Sequence, residues 1–288
     1  MRKNELIWAI IFIAPTAVLF LLVYSIPLVT VISTSLTEWK TIHPPKFIGF
    51  HNYIYLFTES EIFKASMLNT LLWIAIASTA HVAFGLSVAL VLARRPFGWK
   101  AVRVIYFLPN VIPGIAMAFI FKMLFNAEIG VINQLIRGLG FTDFYHNWYG
   151  HPRTAFLSVT LIWLFYAGLL TVLILAEYQS IPTSLFESAR LDGASSFQID
   201  RYITLPLLKS ILGVCVILSV TAMITEFAHV WITTRGGPGY TTFNLALLLY
   251  RFTTRQNNYG LANAVGTLQI AMGVLIVFIV TRLTKKEV

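Results

Sequence analysis

An acid inside an apolar run is the first residue here with the means to do chemistry. Glu226 falls within the hydrophobic stretch Leu207–Ile232. A carboxylate there costs about 2.5–3.5 kcal/mol at the bilayer centre on insertion scales, so it turns toward protein or water. Ser219, Met223, Glu226 and Val230 follow one another at spacings of four, three and four, and so share one face of a helix. Thr225 and His229 flank that stripe. An acid, a hydroxyl and a flexible thioether on one face are suited to lining a polar cavity. They are equally suited to a polar contact between helices, with Lys122 or with a partner subunit, and both readings stand.

Other reactive groups are sparse. The six histidines, His43, His51, His81, His146, His151 and His229, have no metal-ligand spacing. His81 lies in an apolar run and reads as a hydrogen-bonded structural residue. The single Cys215 excludes an internal disulfide and reads as a small buried hydrophobe. The chain carries no Walker-type glycine loop, dinucleotide fingerprint, zinc helix, nucleophile elbow or paired-carboxylate site. The turn cluster Arg235-Gly236-Gly237-Pro238-Gly239 lacks the Lys-Ser/Thr ending of a phosphate loop. Neither an enzyme nor a bound cofactor is suggested.

The polar stretch Glu177–Pro206 carries a different signal. Ser184 with Glu187 has the spacing of a capping box. Gly193 suits a left-handed helix stop. Ser195 with Gln198 repeats the box, and Pro206 marks where the second short helix yields to the next apolar segment. Helix, bend and helix are predicted, with small Ser188 and Ala189 allowing a partner surface close approach. The segment is either a docking device or an interfacial amphipathic hairpin.

Apolar segments position both features. With 57% hydrophobic and 11% charged residues and a mean hydropathy of +0.76, the chain is far from the roughly 25% charge of a soluble domain. Six stretches reach the ~20 residues that span a bilayer: Leu6–Ile32, Phe63–Ala93, Val102–Phe125, Thr154–Ala176, Leu207–Ile232 and Leu261–Arg282. The first exceeds a signal-peptide core and is predicted to kink at Pro15. With the amino terminus inside, the inner side collects Arg2, Lys3, Arg94, Arg95, Lys100, Arg103, Arg190, Arg201, Lys209, Arg282, Lys285 and Lys286. The cluster around Arg94 sits in a tight turn, where the positive-inside bias has most force. The net charge of +9 is therefore topogenic and does not point to nucleic acid. The expectation is an all-α membrane protein in one domain, residues 1–288, with six transmembrane helices, both termini cytoplasmic, and the 177–206 loop cytoplasmic between helices four and five. Trp39, Trp148, Tyr53, Tyr55, Tyr145, Tyr149 and Tyr240 fall in the outer connections, as interface-belt residues or contacts for an extracellular partner.

Glu187-Ser188-Ala189, three residues, Gly193, nine residues, then Ile203-Thr204-Leu205-Pro206 resembles the EAA loop of permease subunits of binding-protein-dependent ABC importers. The spacing matches throughout, with Ser188 replacing a small Ala. Asn52-Tyr53, Asn69-Thr70, Phe107-Leu108-Pro109, Asn126, Gly130-Val131-Ile132-Asn133, Thr234 to Pro238 and Tyr259-Gly260-Leu261-Ala262 are similar to the carbohydrate-uptake branch, the maltose, glycerol-phosphate and multiple-sugar permeases. The resemblance implies that the loop is a coupling helix seated in a cytoplasmic ATPase. Glu187 and Gly193 would hold its shape, while Leu185, Phe186, Ser188, Ala189, Leu191 and Asp192 would meet the partner. It implies a second permease subunit, homologous in a heterodimer, two ATPase subunits that bind ATP and Mg, an extracellular solute-binding protein, and a bacterial or archaeal cytoplasmic membrane whose lipid surrounds the chain. It places Glu226, with Ser219, Met223 and Thr225, at substrate-lining positions for a small carbohydrate, and matches Asn126 and Gly130 to third-span contacts. The rival readings are a membrane scaffold or receptor that recruits a partner without transport, and a polytopic membrane enzyme.

Overall fold

The computed structural model describes residues 3–164 and 167–284, with side chains from Trp8 in the first helix. Arg2, Lys285 and Lys286 of the inner charge set lie outside the described residues. Helices dominate: α1 Lys3–Phe20, α2 Ile26–Thr34, α3 His51–Thr58, α4 Glu61–Ile76, α5 Val82–Ala93, α6 Trp99–Phe107, α7 Gly114–Leu124, α8 Val131–Gly138, α9 Pro152–Leu164, α10 Gly168–Ser180, α11 Thr183–Leu191, α12 Ser196–Ile199, α13 Leu205–Leu207, α14 Lys209–Ile224, α15 Ala228–Thr233, α16 Leu245–Tyr250 and α17 Tyr259–Thr284. A short antiparallel pair, β1 Thr37–Glu38 and β2 Lys46–Phe47, sets Thr37 against Phe47 and Glu38 against Lys46. Among the described residues the secondary structure is thus helical apart from this hairpin and one isolated bridge, Lys40 to Asn258.

Among the described residues, four helices are long and apolar enough to cross a membrane: Trp8–Thr34, Glu61–Ala93, Lys209–Thr233 and Tyr259–Thr284. Two bent pairs raise the number to as many as six. Trp99–Val111 meets Gly114–Leu124 at 103°, and Pro152–Leu164 meets Gly168–Ser180 at 44°. The third expected span, Val102–Phe125, is therefore not one rod. Pro113 lacks an amide hydrogen and disfavours the α conformation at Ile112, which is extended with ψ 129°. At Pro15, where a kink is expected, the helical assignment of α1 continues without interruption. The departure from α-helical bonding comes at Leu21–Ser25, a wider turn just ahead of Pro27.

The contacts group into two units, Met1–Glu61 with Leu248–Ala271, and Ile62–Leu247 with Met272–Val288. In the first, Asn52 donates to Ser35 O and Thr37 O at 2.8 and 2.9 Å, tying α3 to the hairpin. Gly260 passes so close to this strand that a Cβ would sit 2.2 Å from Thr37 O. In the second, α5, α10 and α14 share a core of Ala89, Leu92, Leu170, Ile174, Leu208 and Cys215. Gly85 lets α10 approach: its added Cβ would stand 3.1 Å from Leu170 Cβ, and Thr171 donates to Gly85 O at 3.0 Å. Close backbone approach through small residues, with a hydroxyl bonded across, is how helices adhere where lipid removes the hydrophobic drive. A smaller cluster packs Met117, Phe121 and Phe125 against Ile162. His81 is buried, but among the described residues neither ring nitrogen has a hydrogen-bond partner. Its ring instead meets Trp163 edge to face at 5.5 Å.

Candidate functional site

The 177–206 loop is a helix, a left-handed stop and a second helix. α11 starts at Thr183 after Pro182, whose fixed φ suits a helix start. This start puts Ser184 inside the helix, and no side chain caps the end. The expected Ser184–Glu187 capping box does not form. The far end is as predicted: Gly193 has φ +81°, its N–H reaches Arg190 O at 3.1 Å, and Ala194 N–H reaches Ala189 O at 2.9 Å. Those two bonds make a Schellman stop. Ser195 and Gln198 form the reciprocal box that opens α12. The chain does not break at Pro206. It passes through a wide turn at Asp200–Thr204 and the three residues of α13 into α14.

The loop has an outer and an inner face. Leu185, Glu187, Ser188, Leu191 and Asp192 are exposed, Leu191 to 89%, while Ala189 is half-buried. Phe186 turns inward, stacks on Tyr178 at 5.5 Å and packs on the α5–α10–α14 core. Arg94, capping the end of α5, makes an ion pair with Asp200. The turn bearing Arg94 and Arg95, which leads into Lys100 and Arg103 of α6, is thus joined to this loop. A cleft of about 570 Å³ opens beneath α11, with Arg95, Thr183, Glu187 and Arg190 among its lining.

The Glu226 stripe is not one helical face. α14 ends at Ile224 and α15 begins at Ala228, so Glu226 falls in the interruption and Val230 follows on a separate helical segment. Ser219 and Met223 are buried within the chain, and Thr225 is exposed with its hydroxyl bonded to Thr221 O. Glu226 is occupied locally. Oε1 accepts the His229 N–H at 2.8 Å, and Oε2 lies 2.8 Å from His229 Nδ1. The carboxylate therefore caps the start of α15 and lies beside the imidazole. Asn244 donates to Glu226 O, and its own Oδ1 accepts from Leu247 N. The i, i+3 spacing of Glu226 and His229 is the sequence signal for this pairing; the chain break between α14 and α15 has none as plain. Lys122 reaches Ile232 O at 2.8 Å, not Glu226.

Asn126 and Gly130 stand elsewhere. Asn126 Oδ1 accepts from Glu128 N and Ile129 N, and a Cβ on Gly130 would meet Asn126 O at 2.2 Å. Asn126 lines a cleft of about 600 Å³ with Lys122, Tyr149, Thr233 and Thr234. Burial raises the Tyr149 phenol pKa there. Glu38, in the hairpin, is held below the usual carboxylate range by its hydrogen bond to Lys40.

The other motif residues serve as clamps. Asn69 donates to Tyr240 O and Phe243 O, both at 2.9 Å, and the Thr70 hydroxyl accepts from Leu245 N at 3.1 Å. Together they grip the glycine-rich turn, in which Thr234 and Thr242 hydroxyls meet at 2.7 Å. Asn133 donates to Ala127 O and His146 O and accepts from Trp148 Nε1 at 2.7 Å. Trp148 is thus tied into the core of its loop. Among the described residues no cluster of His, Cys, Asp or Glu is placed to hold a metal.

Residues 81–287 match the model of the family described as binding-protein-dependent transport system inner membrane component. The chain is 34% identical over 270 residues to a probable ABC transporter permease protein, YurN, of Bacillus subtilis, covering 92% of this chain and 91% of that one. It is 31% identical over 284 residues to the sulfoquinovosyl glycerol transport system permease protein SmoG of Agrobacterium fabrum, covering 97% and 91%. It is 30% identical over 262 residues to the trehalose/maltose transport system permease protein MalF of Thermococcus litoralis, covering 86% and 87%. In fold it is similar, at 22% identity and a TM-score of 0.83, to a chain of a bacterial alginate ABC transporter solved in complex with an alginate pentasaccharide-bound periplasmic protein, covering 100% of this chain and 98% of that one. A mostly helical membrane fold, a family match over most of the chain and relatives aligned nearly end to end converge on one assignment: the chain belongs to the family of inner membrane components of binding-protein-dependent transport systems, the permease subunits of ABC importers.

Proposed function

We propose that the chain is the sugar-conducting permease of such an importer, in a bacterial or archaeal cytoplasmic membrane, and that α11 is its coupling helix. The observation that carries this reading is the Schellman-terminated helix with Leu185, Leu191 and Asp192 turned outward. Leu191, an exposed leucine at the loop tip, fits insertion into a protein cleft. Glu187, Ser188, Ala189 and Gly193 complete that surface, and Phe186 anchors it from behind. In this reading both termini and the 177–206 loop are cytoplasmic and the chain acts as one transport domain. Two ATPase subunits bind the ATP and Mg, so this chain performs no catalysis. A second, homologous permease and an extracellular solute-binding protein complete the assembly. The relatives named above belong to transport systems for sulfoquinovosyl glycerol and for trehalose and maltose, which supports a small carbohydrate as substrate. A scaffold that recruits without transporting finds no support among them.

Gly193→Asp tests the loop. At φ +81° a side chain is strained, so the variant inserts in the membrane but its ATPase no longer copurifies and uptake is lost. Wild-type copurification with intact uptake removes the loop from the coupling role. The lining reading of Ser219, Met223, Thr225, Glu226, Asn126 and Gly130 is tested at its acid. Glu226→Ala is expected to lower uptake while the ATPase stays bound, and unchanged transport kinetics would strike it from the path.

A further inference from the structure

A groove runs along α6, sharing Trp99 with the cleft beneath α11. It encloses about 580 Å³. Val104, Phe107, Leu108 and Val111 form one wall, Val172 of α10 stands on the other, and Trp99, Lys100 and Arg103 close one end. Val104, Leu108 and Val111 are each more than half exposed. Lys100 and Arg103 are exposed, and among the described residues no carboxylate pairs with either. The Lys100 ammonium and the Arg95 guanidinium both lie over the Trp99 ring, 5.9 and 5.8 Å from its centroid. The 103° bend after Val111 keeps α6 off the axis of α7. A helix with Trp, Lys and Arg at one end and bare aliphatics along its side suits the headgroup boundary.

We infer that this groove is a binding site for an anionic phospholipid. One acyl chain lies along Val104, Leu108, Val111 and Val172, and the phosphate rests on Lys100 and Arg103. Charge complementarity selects this occupant: a protein helix seated here would need carboxylates against two otherwise unpaired cations, whereas a lipid supplies apolar chain and anion in one molecule. Basic pockets between membrane helices on the cytoplasmic side are suited to such headgroups. The inference rests on the cytoplasmic placement of the Arg94–Arg103 turn proposed above.

Native mass spectrometry of the full chain, alone and in the assembled transporter, tests it by titration with phosphatidylglycerol and with phosphatidylcholine of the same acyl chains. Phosphatidylglycerol is expected to be retained in preference. The double substitution Lys100→Gln, Arg103→Gln should weaken it by about thirtyfold, the loss expected for two basic residues at an anionic surface. Val104→Trp, which fills the trough and leaves both cations, should weaken it independently and serves if the double variant does not insert. Equal retention of the two lipids, or binding unchanged by both variants, overturns the site. Displacement by inorganic phosphate assigns the cations to a free anion and also overturns it. Loss of the lipid on assembly gives the groove to a protein interface and overturns it as well. ATPase association is not read here, so this result and the coupling result fail separately.

Discussion

Phe186 shows how one side chain divides a surface into contact and anchor. Its neighbours in sequence are exposed, but its ring stacks on Tyr178 and packs on the core that α5, α10 and α14 share. Truncation to alanine removes buried aromatic area and leaves a void. A fully buried ring would cost about 3–5 kcal/mol, so a half-buried one is expected to cost about 1–3 kcal/mol. Phe186→Ala should lower the thermal transition in detergent and speed tryptic cleavage at Arg190; an unchanged cleavage rate would mean the ring holds nothing. Asn69 makes a parallel case. Its amide bridges two carbonyls of the glycine-rich turn, and Asn69→Ala is expected to cost about 2 kcal/mol. Hydrogen exchange in the 236–245 turn would report this loss, and identical protection in the variant would refute the clamp.

At the scale of elements, the two capping boxes separate pattern from register. Both Ser184–Glu187 and Ser195–Gln198 satisfy the spacing, yet only the second forms. Pro182 occupies the cap position of α11, so Ser184 falls in its first turn and cannot cap it. Ser195→Ala should therefore fray α12 at a cost of about 1 kcal/mol, and Ser184→Ala should be neutral. Equal exchange rates across 196–199 in the two variants would contradict this register. The same distinction governs what is legible in the sequence. Gly193 is legible because a positive φ is a local demand. The apolar spans are legible because bilayer thickness imposes a length. The bend before Pro113 is a local signal that the length of the apolar run conceals. The work of Asn69 is hidden for another reason: its acceptors lie more than 170 positions along the chain, and no spacing rule reaches that far. The partner of Glu226 is legible in its i, i+3 spacing to His229, whereas the break between α14 and α15 that sets the acid between two helices has no spacing signal as plain.

For the whole molecule the issue is sidedness. The Arg94–Asp200 pair joins the basic turn after α5 to the 177–206 loop, so both stand on one side of the bilayer whichever side that is. The positive-inside bias favours the cytoplasm for that side. Single cysteines at Gly98 and Ser188, in a chain whose Cys215 is replaced, should be protected together from an impermeant thiol reagent in right-side-out vesicles and labelled together in inverted ones. Opposite labelling would undo the topology. The pair itself is half-exposed at Arg94, so a double-mutant cycle is expected to give under ~1 kcal/mol, falling further with salt.

The inward ring of Phe186 has a mechanical corollary. It rests on a cluster that takes Leu92 from α5, Ile174 and Leu175 from α10, and Cys215 from α14. In the coupling role proposed above, a thrust delivered at the loop tip would therefore be shared among three rods at once. In that role the loop would act as a yoke keyed into its axle, not as a tether pulling on whichever helix happens to follow it.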